Sequence, residues 1–302
     1  MRATPRQKLV RASPKARILE QQIAWAHRRD FVADASGYVV HLEQNLFQPM
    51  NPSTRVAFER GAGSELHASD GRRPKLCALH SSAALAVNVF DYWVGRTLAP
   101  LQDALGARVE LLGVEFERRF PTGLAGTPPT LDVVLETSNS GVLAIESKFT
   151  EWMTRAGSGG SGLSASYFAD GRRLWANRGL PRCQALAERI SEGKERFDWL
   201  NVPQLLKHGL GLAATQNRPC SLVYVFYDFA CEESVSHRHE TERFMEAVGD
   251  DLNFTSLSYQ DLFERLLDIC WEAHEDYLKY LAARYFGSAH STGVALGPEK
   301  SR

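Results

Sequence analysis

The sequence predicts an α/β fold, a mixed central sheet flanked by helices, with extra helices at both ends of the chain. Three observations predict it. An amphipathic helical stretch over residues 81–98 precedes three strand-like runs, at 108–120, 130–137 and 141–149. Helical patterns then return at 181–195 and 203–214. They lead into 221–227, the most β-prone run of the chain (Ser-Leu-Val-Tyr-Val-Phe-Tyr). Three successive strands can form a meander, and the helices after them act as the crossover that brings a fourth strand into the same sheet.

Each element has its own signal. A helix is expected over 13–29, with Ser13 as N-cap, Pro14 in the first turn, and Ile18, Ile23 and Ala26 on one face. Residues 38–42 are a candidate extended segment, and 49–75, rich in Gly, Pro, Ser and charge, are expected to be mainly loop. Ser81 or Ser82 caps the helix over 81–98, whose apolar stripe is Leu85, Val89, Tyr92 and Trp93. The strands at 130–137 and 141–149 join through the turn-forming cluster Ser138-Asn139-Ser140-Gly141. A Gly/Ser stretch at 156–166 is expected to be flexible, and helices are expected at 240–248 and 259–286. The expected organisation is an N-terminal extension (1–60), a core (61–230), a C-terminal helical region packed on it (231–286) and a disordered tail (287–302).

Composition narrows the functional classes. With 302 residues, 44% hydrophobic and 24% charged, the chain is an ordinary globular protein large enough for a sizeable core. No apolar run approaches the roughly 20 residues that span a bilayer, and no hydrophobic segment follows the basic N-terminus, so no membrane partner and a cytoplasmic location are expected. Five scattered cysteines without CxxC spacing point away from zinc and disulfides. A net charge of −1 disfavours a sequence-blind DNA coater but not a nuclease with a local basic face. One candidate face is the N-terminal arm, with Arg2, Arg6, Lys8, Arg11, Lys15 and Arg17 before the first acid, Glu20.

The most informative residues lie in two apolar runs, Leu131-Asp132-Val133-Val134-Leu135 and Val142-Leu143-Ala144-Ile145-Glu146-Ser147-Lys148-Phe149. Glu146 and Lys148 share a strand face because strand side chains repeat with period two. Charges in an apolar strand are costly unless something binds them, and a divalent metal ion with a phosphate would do so. Asp132 and Glu146 suit Mg²⁺, with Mn²⁺ as substitute, and the carbonyl of Ser147 adds a third oxygen. Lys148 would orient or deprotonate a water, or neutralise developing charge. The arrangement is that of a phosphodiester-cutting site.

Hairpin geometry sets a condition. Opposed residue numbers in an antiparallel pair sum to a constant, and Asp132 shares a face with Glu146 and Lys148 only if that constant is even. A three-residue loop of Asn139, Ser140 and Gly141 satisfies it and sets Asp132 opposite Lys148; a simple two-residue turn would not without a bulge.

Asp132, Glu146-Ser147-Lys148 and the helix–strands–helix–strand order resemble the PD-(D/E)xK nuclease superfamily, whose members share the restriction-endonuclease-like fold, over about residues 60–230. Leu131 stands where the motif has proline, with Pro128 and Pro129 just upstream. The resemblance implies metal-ligand roles for Asp132 and Glu146 and the catalytic lysine role for Lys148. Glu65 resembles the extra acid that many members supply from an N-terminal helix; a surface glutamate is the plainer reading. Gln204 resembles the glutamine of RecB-like members, with His208 where those often carry tyrosine. Gln204 and His208, four apart, share a helix face that either points at the site or forms the polar edge of an amphipathic helix. The segment around His80–Asn88 is also similar to a prokaryotic restriction-endonuclease-like group.

The expected function is Mg²⁺-dependent hydrolysis of phosphodiester bonds, chiefly in DNA; the resemblance implies a prokaryotic defence or repair setting, and a double-strand cut would be compatible with a homodimer. The alternative is a catalytically silent nucleic-acid-binding or assembly protein on the same fold. Glu115, Glu117 and Glu136 are taken as strand-surface charges, Glu136 sharing the face of Asp132. Gly157-Ser158-Gly159-Gly160-Ser161-Gly162 matches GxGxxG but lies well after a strand inside low complexity, so a mobile loop is expected there instead of a dinucleotide site. Glu195 after Gly193-Lys194 rules out a Walker motif, and His237-Arg238-His239-Glu240 is expected to be a solvated loop cluster instead of a metal site.

Overall fold

The computed structural model describes residues 12–61, 65–68, 71–155, 162–215 and 220–286. The basic residues before position 12, the stretch 156–161 and the tail 287–302 fall outside them. Five strands form one sheet in the order β1 (Leu111–Arg119), β2 (Thr130–Thr137), β3 (Val142–Lys148), β4 (Cys220–Phe226) and β5 (Asn253–Ser258). β1, β2 and β3 pair antiparallel, whereas β4 joins β3 and β5 joins β4 in parallel. This is the expected mixed sheet flanked by helices. Leu222, Val223, Tyr224, Val225 and Phe226 of β4 are all buried, as a central parallel strand covered on both faces requires.

Among the α-helices, α1 (Pro14–His27) starts as expected, with the Ser13 hydroxyl accepting from Ala16 N at 3.3 Å. α2 (Pro52–Arg60) lies inside the segment expected to be loop. Its proline occupies the first turn, and Phe58 packs against Phe116 of β1. The extended segment around residues 38–42 amounts to isolated bridges, Ala33 to Val39 and Tyr38 to Ala78.

The helix expected over 81–98 is α3 (Ser82–Phe90) followed by a 3-10 turn, Asp91–Trp93. It stops because Asp91 turns inward to accept from Asn51 N and because Gly95 takes φ +74. A separate helix, α4 (Ala99–Leu105), follows it. α5 (Pro181–Ser191) and α6 (Val202–Thr215) form the crossover into β4, and α7 (Glu232–Val248) leads into β5. α7 begins ahead of the helix expected at 240, so the His237–Glu240 cluster is helical and not a loop. The helix expected over 259–286 is divided into α8 (Tyr259–Cys270), α9 (Glu275–Leu281) and a π-helical turn, Ala282–Phe286.

Because β5 lies beyond residue 230, the stretch after the expected core supplies a strand to the sheet as well as helices. α3 packs on β2 and β3, α2 on β1, and α6 on β4. Gly211 lets α6 pass close to the end of β1: a Cβ there would meet the Phe120 carbonyl at 2.4 Å. Among the described residues no helix is long and apolar enough to cross a membrane.

The β2–β3 hairpin meets the parity condition with a different loop. Glu136 pairs with Val142 and Val133 with Ile145, so the loop is Ser138, Asn139 and Ser140 and the register slides by two residues. Continued, it sets Asp132 opposite Glu146, not Lys148. Ser140 takes the left-handed φ of 63, and Asn139 Oδ1 accepts from Thr137 Oγ1 and Gly141 N, which closes the loop one residue earlier than expected.

Candidate active site

The site forms where the sheet opens. Pairing between β2 and β3 ends at Val133 and Ile145, while β3 stays paired to β4 as far as Lys148 and Phe226. Freed from a ladder partner, the Ser147 N–H donates to Asp132 Oδ2 at 2.7 Å. The N–H and C=O of one strand residue point to the same edge, so the Ser147 carbonyl also faces this notch. Alternation sends the side chains to opposite faces. Ser147 Oγ lies 2.6 Å from the Tyr259 hydroxyl of α8, whereas Glu146 and Lys148 face α6.

Glu146 is 1% exposed. Its Oε1 lies 2.5 Å from Lys148 Nζ and its Oε2 2.9 Å from His208 Nε2 on α6. Both oxygens of this buried carboxylate are therefore engaged, one by Lys148 and the other by His208. Burial alone would raise the Glu146 pKa, but the Lys148 and His208 charges outweigh it and hold the group at about 2. Asp132 moves the other way: loss of solvent and the neighbouring Glu146 carboxylate push it well above the usual range. Burial works against the Lys148 charge, yet Glu146 and Asp132 prevail and its pKa is raised.

Of the residues singled out in the sequence, Asp132, Glu146, Ser147, Lys148 and His208 therefore come together. Gln204, one turn before His208, lines the same cavity as Lys148. Glu65 stands apart from the expected arrangement. It follows α2 in a non-helical segment, because α2 already ends at Arg60, and it pairs with Lys75 Nζ at 2.8 Å. Its charge reaches Glu117 but is not among the influences on Asp132 or Glu146. Glu136 is exposed and sits 3.7 Å from Arg118.

Glu117 is not a strand-surface charge. The pairs Phe116–Val133 and Arg118–Leu131 bracket it opposite Asp132. Its φ of +52 distorts β1 locally, and its carboxylate lies near Gly61 at the end of α2. Burial, followed by the charges of Glu65 and Glu146, raises its pKa to about 7. A left-handed glutamate leaves no mark in the sequence, which is why alternation alone misplaced it. Glu240, within the cluster expected to be solvated, was also missed as a structural residue. Its carboxylate accepts from the backbone N–H groups of Asp198, Trp199 and Leu200, each at 2.8 Å.

The donor set fits a hard divalent cation. Two carboxylates on adjacent strands meet at a notch that also presents a backbone carbonyl, and the Glu146 carboxylate is buried, with Lys148 at one oxygen and His208 at the other. Mg²⁺ keeps several waters and asks for only one or two carboxylates. Among the described residues no three His, Cys, Asp or Glu side chains converge as a complete metal cage.

A family model described as Restriction Endonuclease associating with ARP (REase-ARP) matches residues 16–286. No curated protein and no solved structure matches the chain.

Proposed function

The chain belongs to the REase-ARP family of restriction endonucleases, and on that premise we propose a metal-dependent nuclease that hydrolyses phosphodiester bonds of DNA at the notch between β2 and β3. One observation carries the reading. Asp132 and Glu146 meet where the sheet splays, with Lys148 Nζ 2.5 Å from the buried Glu146 carboxylate. A buried ion pair is a poor means of stabilising a fold, so its presence here favours function.

Asp132 and Glu146 would hold Mg²⁺ or Mn²⁺, with the Ser147 carbonyl as a further oxygen. When bound, the ion supplies Lewis acidity and a more acidic water. The residues of the chain do the rest. Lys148, kept as an ammonium by Glu146, donates from Nζ to the attacking water and to the phosphoryl oxygen as charge develops. His208 fixes the second oxygen of Glu146 and so the direction in which the carboxylate points. Ser147 N–H does the same for Asp132. Gln204 supplies a carboxamide beside Lys148 for the substrate. ARP, the associate named in the family description, would be the partner of this chain in a defence or repair setting. A double-strand cut would use two copies of the chain, one site for each strand.

Cleavage of plasmid, linear and single-stranded DNA with Mg²⁺ or Mn²⁺, beside EDTA and Lys148→Ala controls, tests the reading. Metal-dependent cutting should fall by roughly 10²–10⁴-fold in the variant. DNA binding without cutting in any metal would replace the enzyme with a silent binder on the same fold.

A further inference from the structure

A cavity of about 890 Å³ adjoins Lys148 and Gln204, and the segment between α5 and α6 forms one of its walls. Its volume falls within the range of small-molecule sites, roughly 300–1,000 Å³. Building on the nuclease reading, we propose that this cavity receives one nucleobase of the substrate, from the nucleotide adjoining the cut phosphate, stacked on Trp199.

Trp199 lines the cavity, is partly exposed, and has no aromatic partner among the described residues. The other aromatic groups of the wall are already engaged. Trp152 stacks on His237 at 4.4 Å, Tyr224 bonds His237 through its hydroxyl at 2.9 Å, and the Arg243 guanidinium lies over Phe197. The segment carrying Trp199 is held in place from two sides. Glu240 accepts its three successive N–H groups, while Asp198 accepts from Arg155 and Arg196. A partly exposed indole on a tethered segment is a stacking platform, and every base has a π-face to offer it.

Polar groups for a base edge lie beside it. Asn201 Nδ2 contacts Gln204 Oε1 at 3.2 Å, which leaves the Gln204 amide N–H groups without a partner among the described residues. Carboxamides are the groups that pair with base edges. Of the three acids in the wall, Glu195 is paired with Arg189 and Arg243 and Glu192 with Lys194, while Glu151 accepts from Phe149 N. A nucleotide with its phosphate at Lys148 therefore finds a ring, a carboxamide and a cation along one wall. In a duplex, such a base must leave the stack to enter, as it does in enzymes that extrude nucleotides.

The test uses deoxynucleoside 5′-monophosphates against deoxyribose 5-phosphate, which carries the phosphate without the base. Both are titrated by calorimetry onto the full chain in Mg²⁺. At least one nucleotide is expected to bind roughly tenfold or more tightly than the sugar phosphate. That margin should vanish in Trp199→Leu, which keeps apolar bulk, and survive in Trp199→Phe, which keeps a ring. Equal binding of nucleotide and sugar phosphate, or a margin that Trp199→Leu leaves intact, overturns the proposal. The same preparations are assayed for DNA cutting. Cutting without base-dependent binding sinks the pocket alone, and base-dependent binding without cutting sinks the nuclease reading alone.

Discussion

At the scale of single residues, the site is held together by charges that the fold alone would rather not have. Asp132 carries the greater cost, because burial and then the neighbouring Glu146 carboxylate disfavour its charge, while Lys148 and His208 both contact Glu146. Asp132→Asn removes the repulsion while an amide oxygen still accepts from Ser147 N–H. The variant should be more stable than the parent in EDTA, because it carries no charge that burial and Glu146 disfavour. Added Mg²⁺ should then raise the melting temperature of the parent but not of the variant. Thermal melts with and without Mg²⁺ measure both, and a variant that melts lower than the parent in EDTA would remove the like-charge account. His237 gives the pH dependence. Burial, then Arg238, depresses its pKa to about 3, so it folds neutral. Between its ordinary pKa near 6.5 and about 3 the unfolded chain binds the extra proton, so stability falls with falling pH across that window, by roughly a few kcal/mol in all. His237→Gln should flatten that slope in denaturant titrations run from neutral pH to pH 4.

At the scale of elements, the Glu240 carboxylate on α7 is the clearest long-range tie, since it replaces three orphan N–H groups' missing partners with one acceptor group. Charge-assisted bonds of this kind contribute about 1.5–3 kcal/mol each when neighbours cannot compensate. In Glu240→Ala, hydrogen exchange at the amides of Asp198, Trp199 and Leu200 should accelerate well before that of β4. Unchanged protection there would mean that the segment is held by its apolar packing alone. Elements with a full apolar or charged signature were legible from sequence: β2, β3, β4, α1 and α5 match their expected positions closely. The missed elements are those whose signal is weak or interrupted. α2 carries two arginines and a glutamate and buries little beyond Thr54 and Phe58. β5 is a short edge strand of polar residues around Phe254 and Leu257. The hairpin parity was legible because a buried face allows only one parity, but the two-residue slide depends on Ser140 accepting φ +63, which composition does not announce.

At the scale of the whole molecule, sequence marked a core at 61–230, yet the site depends on segments outside it. Tyr259, which meets Ser147 Oγ on the underside of β3, lies on α8. β5 covers the far edge of β4, which would otherwise present an unpaired parallel strand. The two ends are tied together as well. Arg284 is 3% exposed and donates to the Asn45 carbonyl and the Tyr280 hydroxyl at 2.6 Å each, with its guanidinium 4.4 Å from the Trp25 ring of α1. Gln22 of α1 returns a bond to the Arg284 carbonyl at 2.8 Å. No carboxylate pairs with this arginine among the described residues, so its charge is satisfied only by groups drawn from three distant stretches of chain. Removing any one of them leaves a buried cation short of partners, which is among the costliest single defects a fold can carry. A chain cut to 61–230 should therefore show no cooperative thermal transition by circular dichroism, whereas 12–286 should melt as one unit. The family match over 16–286 has nearly the same extent. Cooperative melting of 61–230 would mean that the sheet stands without β5 and that the tie through Arg284 fastens an accessory layer; failure of 12–286 to melt cooperatively would move essential contacts into the residues beyond it.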